Sequence, residues 1–92
     1  GIKPTKKVKN LSEGEIRKII KFIKRILSKA IALGGSSIKN FSSDNGKKGL
    51  FQQYFCVYGK KGEKCSKKSC GSNIIKIVIS NRATFYCDKC QK

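Results

Sequence analysis

A long amphipathic helix is the clearest pattern of apolar and polar positions in this chain. Apolar residues recur every three or four positions from Ile16 to Leu33 and cover about half of a helical wheel. Ser12 and Glu15 have the spacing of a capping box, which satisfies the free N–H groups of a first turn. Gly34 and Gly35 follow, and glycine readily takes the left-handed conformation that ends a helix. The sequence therefore predicts a helix that begins after Ser12 and ends near Leu33.

The polar side of this predicted helix is basic, with no acidic residue after Glu15. Its basic residues share one arc, about 140° wide, of the helical wheel. They are Arg17, Lys18, Lys21, Lys24, Arg25 and Lys29. A solvated face is the ordinary explanation, but a partner polyanion would relieve the repulsion between like charges. The apolar half is wide for a lone helix, so it must pack against the C-terminal module or against a domain outside this chain.

The rest of the chain has β-like patterns separated by a loop. Residues 1–11 form a basic, irregular lead-in, and residues 34–50 are rich in Gly, Ser and Asn, which predicts a long loop. Aromatic residues from Phe51 to Tyr58 favour a strand, with Cys56 as a small buried thiol. Residues 74–79 and 83–86 predict a hairpin with a turn at residues 80–82. We expect a small α+β fold with two parts, 1–50 and 51–92.

Four of the five cysteines form two close pairs at either end of the predicted hairpin. Cys65 and Cys70 are separated by four residues, and Cys87 and Cys90 by two. Such turns deliver two thiolates each to one tetrahedral metal ion, as in a zinc ribbon. Four thiolates fill the coordination shell, so we predict one structural Zn²⁺ ion. Iron is the first alternative, and paired disulfides are the second.

The overall charge indicates an anionic partner. The 92 residues include 22 Lys and Arg against 5 Asp and Glu, which gives a formal net charge of +17. Nucleic acid is the commonest partner of so basic a small chain, ahead of an anionic membrane or an acidic protein. The absence of His excludes imidazole catalysis, and no apolar run is long enough for a membrane span. Arg82, at the predicted hairpin tip, is either solvated or placed in a DNA groove.

Four segments of the chain resemble a known family in their order and spacing. Residues 34–41, 44–53, 57–65 and 82–92 resemble the C-terminal region of bacterial formamidopyrimidine-DNA glycosylases. That family excises oxidised purines, such as 8-oxoguanine and formamidopyrimidines, from duplex DNA and then cleaves the abasic strand as a lyase. The resemblance implies that the four paired cysteines are the ligands of a C-terminal zinc finger.

The resemblance also implies DNA contacts. Arg82 matches a finger-tip arginine that enters the minor groove, and Lys39, with residues 36–49, matches a segment that covers the everted base. The full set of expected DNA contacts is Arg82, Lys39, Ser36, Ser37, Lys60, Arg17, Lys21, Lys24 and Arg25.

Two features depart from the family pattern. The first cysteine pair has four intervening residues where many members have two, which lengthens that turn. The family's nucleophile is an N-terminal proline followed by glutamate, whereas this chain begins with Gly1, and Pro4 is internal. We therefore expect no catalytic residue in this chain, which would be the DNA-binding portion of a glycosylase/lyase that is inactive alone.

The expected partners are duplex DNA that contains oxidised purines and the missing N-terminal catalytic domain, with no membrane partner. We expect a monomer in the bacterial cytoplasm, associated with the nucleoid. The alternatives are a stand-alone zinc-ribbon protein that binds nucleic acid and an interaction module that docks a partner through the apolar helix face.

Overall fold

The helix begins and ends at its predicted capping residues. The computed structural model describes residues 1–36 and 49–92. Helix α1 spans Glu13–Ala32, and the Ser12 side chain accepts a hydrogen bond from the Glu15 N–H at 3.2 Å. The Glu15 carboxylate in turn accepts one from the Ser12 N–H at 2.9 Å. At the other end, Gly34 has φ +76°, and the N–H groups of Gly34 and Gly35 donate to carbonyls of the last turn. Both predicted ends are confirmed.

The two strands form the predicted antiparallel hairpin. Strand β1 spans Ile74–Ile79 and strand β2 spans Arg82–Cys87, with Ile74 opposite Cys87 and Ile79 opposite Arg82. The turn consists of Ser80 and Asn81, whose φ angles are +48° and +63°. Positive φ at both positions is the geometry that matches the twist of a two-residue hairpin. The turn therefore comprises residues 80–81 and not the predicted 80–82, because Arg82 pairs with Ile79 as the first residue of β2. The small α+β fold is confirmed.

The core beside the hairpin is too small to be self-sufficient. It consists of Cys70, Ile74 and Cys87, each at most 6% exposed, with Phe85 packed against it. The Phe85 ring meets the Tyr58 ring edge to face at 5.3 Å between centroids. Because two of the three core residues are cysteines, little aliphatic area is buried, and a small module of this kind needs a metal or disulfides.

The predicted strand from Phe51 to Tyr58 is wrong. Residues Phe51–Tyr54 form a short 3₁₀ helix, and the Phe51 and Phe55 rings contact each other at 5.7 Å between centroids. The aromatic composition favoured a strand, but the spacing of these aromatic residues by three and four positions is helical. Cys56 follows in a bend and is exposed, so its expected place in a strand core is also wrong.

The chain divides into two compact units. One comprises Gly1–Leu11 and Cys56–Lys92, so the lead-in, which contains a short 3₁₀ helix at Val8–Asn10, is grouped with the hairpin. The other comprises Ser12–Phe55. The expected division into domains 1–50 and 51–92 stays a prediction. Within the residues that the structure describes, no helix is both long and apolar enough to cross a membrane.

A close backbone approach joins the end of α1 to the start of the 3₁₀ helix. Ser36 and Leu50 form an isolated antiparallel bridge, and the Phe51 N–H donates to the Gly35 carbonyl at 3.0 Å. Gly49 is buried there, and a Cβ at that position would collide with the Gly35 carbonyl. Glycine is therefore required at position 49 by close packing of two backbone segments.

We expect Gly49→Ala to lower the free energy of unfolding of the Ser12–Phe55 unit by about 1–3 kcal/mol, as overpacking does elsewhere. Thermal melting followed by helical circular dichroism measures the effect. Gly14→Ala is the control, because a methyl group at Gly14 meets only the Ser12 hydroxyl at 3.9 Å. That change should stabilise the helix by up to about 1 kcal/mol. Equal melting temperatures for Gly49→Ala and the parent chain would contradict the packing argument.

Candidate metal centre and nucleic-acid interface

The four paired cysteines converge on one point. The Sγ atoms of Cys65, Cys70, Cys87 and Cys90 all lie within 4.8 Å of one another. The Sγ–Sγ distances are 3.8 Å between Cys65 and Cys90 and 3.5 Å between Cys70 and Cys87. Zn–S bonds of about 2.3 Å in a tetrahedron place sulfur atoms about 3.8 Å apart, so the cluster has the dimensions of a four-thiolate zinc site.

The local backbone positions each pair of ligands. In the first turn, the Cys65 N–H donates to the Ser72 carbonyl at 2.7 Å, and the Cys70 N–H closes a turn onto Lys67 at 2.9 Å. In the second, the Cys90 N–H donates to the Cys87 sulfur at 3.4 Å. The hairpin register places Cys87 opposite Ile74, which brings the second turn to the same end of the hairpin as the first. The longer first turn therefore still closes the site.

Hydrogen bonds in and beside the cluster shift the pKa values of two of its thiols in opposite directions. The backbone of Ser72, followed by the Cys90 side chain, lowers the pKa of Cys70 to about 6. Hydrogen bonding to Cys70, followed by burial, raises the pKa of Cys90 to about 12. Cys70 therefore loses its proton more readily than Cys90 when protons occupy the site. A divalent cation would replace those protons, since thiolates are the metal-binding form.

The donor set fits one structural Zn²⁺ ion. Four sulfur ligands leave no open coordination position at which water could be activated, so the ion would brace the fold and take no part in a reaction. The Sγ–Sγ distances of 3.5 and 3.8 Å are far longer than the roughly 2.05 Å of a disulfide bond. Cys56 is outside the cluster, as predicted.

The hairpin tip is exposed and lies far from the metal ligands. Arg82 is exposed, and its neighbours Val78 and Ile79 are 67% and 36% exposed. Five register steps separate the Ile79–Arg82 pair from the Ile74–Cys87 pair, which amounts to about 17 Å at 3.4 Å per residue. An arginine flanked by apolar side chains on a projecting two-stranded ribbon can reach into a groove of a nucleic acid.

Helix α1 has two distinct exposed faces. All the basic residues of the predicted arc are exposed, with Arg17 3.6 Å from the Glu13 carboxylate. The Lys29 ammonium lies 3.9 Å from the centre of the Tyr54 ring. Seven large side chains of the apolar face are between 43% and 79% exposed: Ile16, Ile20, Phe22, Ile23, Ile26, Leu27 and Ile31.

Four further DNA contacts were predicted: Ser36, Ser37, Lys39 and Lys60. Ser36 is exposed and Lys60 is half-buried, while Lys39 and Ser37 lie outside the described residues.

The sequence pattern does not predict one contact of the metal centre: the Cys87 N–H donates to the Gln91 side-chain oxygen at 2.8 Å. A glutamine next to a cysteine pair gives no periodic signal, so the pattern of the sequence could not identify it.

A protein-family profile matches the cysteine module. Residues 62–92 match a family described as a zinc finger found in FPG and IleRS. This match covers all four cluster cysteines and favours zinc over iron, which the geometry of a four-thiolate site does not distinguish.

Known proteins resemble the chain over nearly its whole length. It is 40% identical over 92 residues to a formamidopyrimidine-DNA glycosylase of Ruegeria sp., covering 100% of this chain and 32% of that protein. It is 46% identical over 90 residues to the Rickettsia canadensis enzyme of the same name, covering 98% of this chain and 32% of the relative. The chain thus spans about a third of the length of these relatives, consistent with their C-terminal region.

Solved structures with the same fold contain DNA. The Lactococcus lactis Fpg in complex with DNA that contains an abasic site matches with a TM-score of 0.88 and 45% identity, over 99% of this chain and 32% of that one. MutM in complex with DNA that contains carbocyclic 8-oxo-G matches with a TM-score of 0.87 and 44% identity, over 99% and 32%.

Proposed function

We propose that this chain is the DNA-binding portion of a DNA glycosylase/AP lyase that acts on oxidised purines in duplex DNA. The observation that carries the proposal is the match of 99% of this chain, at 45% identity, to a protein solved with abasic DNA. The exposed Arg82 and the metal cluster at the other end of the same hairpin support it from this chain's own residues. The expected substrates of the longer protein are 8-oxoguanine and formamidopyrimidine lesions.

In this proposal the hairpin presents Arg82 to the DNA. A metal ion would fix the base of the hairpin, so the backbone that carries Arg82 is ordered before binding and loses less conformational freedom on contact. The basic arc of α1 then supplies sequence-independent contacts with phosphates, which fix register and orientation without reading bases. Residues Arg17, Lys21, Lys24 and Arg25 are the helix residues we assign to this role.

The apolar face of α1 is the proposed docking surface for the rest of the glycosylase. Five of its side chains line a depression of about 350 Å³ with no polar lining: Ile19, Phe22, Ile23, Ile26 and Leu27. An exposed apolar patch rimmed by charge usually marks an interaction site. Because the chain spans about a third of its relatives, the N-terminal catalytic portion is the partner we assign to this face. The assembled protein would act as a monomer on the bacterial nucleoid.

Binding preference tests the proposed function. We expect the zinc-loaded chain to bind a duplex with an abasic-site analogue more tightly than an RNA hairpin of the same length and charge. Fluorescence anisotropy at fixed salt concentration measures both affinities. Equal affinity for the two, or preference for the RNA, would favour a stand-alone nucleic-acid-binding ribbon.

The salt dependence of binding tests the role of Arg82. With about four to six phosphate contacts, log K should fall with log salt concentration with a slope of about −4 to −5. Arg82→Ala should reduce that slope by about one and weaken binding. Lys68→Ala is the control, since Lys68 is an exposed basic residue in the first cysteine turn, at the opposite end of the hairpin. Equal losses of affinity in the two variants would mean that binding depends on the overall positive charge and that the hairpin tip has no specific role.

A further inference from the structure

The side chain of Gln91 links the metal centre to the beginning of the chain. Its Oε1 accepts a hydrogen bond from the N–H of the metal-ligand residue Cys87 at 2.8 Å. Its Nε2 donates to the carbonyl of Ile2 at 3.0 Å. The amide is therefore used at both ends, and it joins groups that are 85 positions or more apart in the sequence.

Three further contacts join the same two segments. The Lys92 N–H donates to the Gly1 carbonyl at 3.1 Å, and the Lys3 N–H donates to the Lys92 carbonyl at 3.2 Å. The Lys3 ammonium lies 2.7 Å from the carboxylate of Asp88, a residue within the second cysteine turn. We call this set of contacts between residues 1–3 and residues 87–92 the terminal clasp.

We propose that Gln91 is a positioning residue that couples metal binding to docking of the lead-in. The metal holds the turn from Cys87 to Cys90 in one conformation, and this turn positions the residues that follow it. The Gln91 side chain then holds the Ile2 carbonyl in place through its hydrogen bond. Thermodynamic coupling is reciprocal, so the docked lead-in must also strengthen metal binding. The consequence is that residues 1–3, which begin a basic segment with Lys3, Lys6, Lys7 and Lys9, are held more firmly when the metal is bound. This inference does not depend on the proposed DNA-repair function.

Metal affinity is the first measurement. Residues that orient metal ligands from outside the coordination shell typically contribute about 10–100-fold to affinity. We expect Gln91→Leu to weaken Zn²⁺ binding by about that factor in competition with a chromophoric chelator. Gln53→Leu makes the same chemical change at an exposed glutamine of the Ser12–Phe55 unit and should leave zinc affinity unchanged. Unchanged zinc affinity in Gln91→Leu would overturn the proposal.

Hydrogen exchange distinguishes loss of the coupling between the metal centre and residues 1–3 from general unfolding of the variant. In zinc-loaded Gln91→Leu, the Lys3 amide should exchange at least about tenfold faster than in the parent, while the amides that pair β1 with β2 keep their protection. A Lys3 amide that stays protected despite lower zinc affinity would overturn the coupling.

Deletion of residues 1–3 provides a test that leaves Gln91 intact. By reciprocity, the shortened chain should bind zinc at least about fivefold more weakly, and the effect of Gln91→Leu should be smaller in it than in the full chain. Unchanged zinc affinity after the deletion, or fully additive effects, would overturn the proposal. If Gln91→Leu does not fold, the deletion variant alone decides: weaker zinc binding supports the coupling, and unchanged zinc affinity overturns it.

Discussion

Cys87→Ser will abolish zinc binding and unfold the hairpin module. Cys87 is 2% exposed and belongs both to the metal cluster and to the small core around Ile74. Structural zinc contributes on the order of 10 kcal/mol of apparent free energy in modules of this size, more than such a core can replace. Elemental analysis should find no zinc in the purified variant, and hydrogen exchange should show no protected amides in β1 and β2.

Cys56→Ser is the matched control for this prediction. The chemical change is the same, but Cys56 is exposed and lies outside the cluster. We expect this variant to retain one equivalent of zinc and the protection of the hairpin amides. Zinc loss from Cys56→Ser as complete as that from Cys87→Ser would contradict the assignment of the four ligands.

Features set by neighbouring residues were predictable from the sequence. The ends of α1 depend on hydrogen bonds between Ser12 and Glu15 and on the left-handed backbone at Gly34, all within one turn of each terminus. The metal ligands could also be predicted from the sequence, because close spacing along the chain is what allows two thiolates to reach one ion. The hairpin between the cysteine pairs followed from the β-branched residues of β1 and the short turn after Ile79.

Features for which local signals conflict, or which depend on distant contacts, were not predictable in this way. For Phe51–Tyr54, aromatic composition and helical spacing gave opposite indications, and the neighbouring backbone supports the 3₁₀ helix: the Gln52 side chain donates to the Gly49 carbonyl at 2.7 Å. The terminal clasp joins the first and last residues of the chain, and no local pattern encodes such a pairing. Cys56 lies in a bend and not in the predicted strand, so its side chain is exposed.

The second large effect concerns chemistry. We expect the 92-residue chain alone to form no borohydride-trapped adduct with abasic DNA at an enzymatic rate. A Schiff base requires a free amine held beside the sugar, whereas Pro4 is internal and its nitrogen is an amide. Slow trapping through lysine is expected as background. A strong adduct that depends on the amine of Gly1 would contradict the prediction.

Adding the N-terminal two thirds of a relative, such as the Rickettsia canadensis enzyme, should restore trapping if the apolar face of α1 docks that portion. Ile23→Gln should then weaken the complementation about tenfold or more, because it places an amide in an apolar contact at a cost of about 1–3 kcal/mol. Val8→Gln is the control, since Val8 is 79% exposed and lies in the other compact unit. Titration of the chain into a fixed amount of the N-terminal portion gives the half-maximal concentration for each variant. Equal shifts for Ile23→Gln and Val8→Gln would show that this face is not the docking surface, because a specific apolar interface must distinguish a residue inside it from one outside.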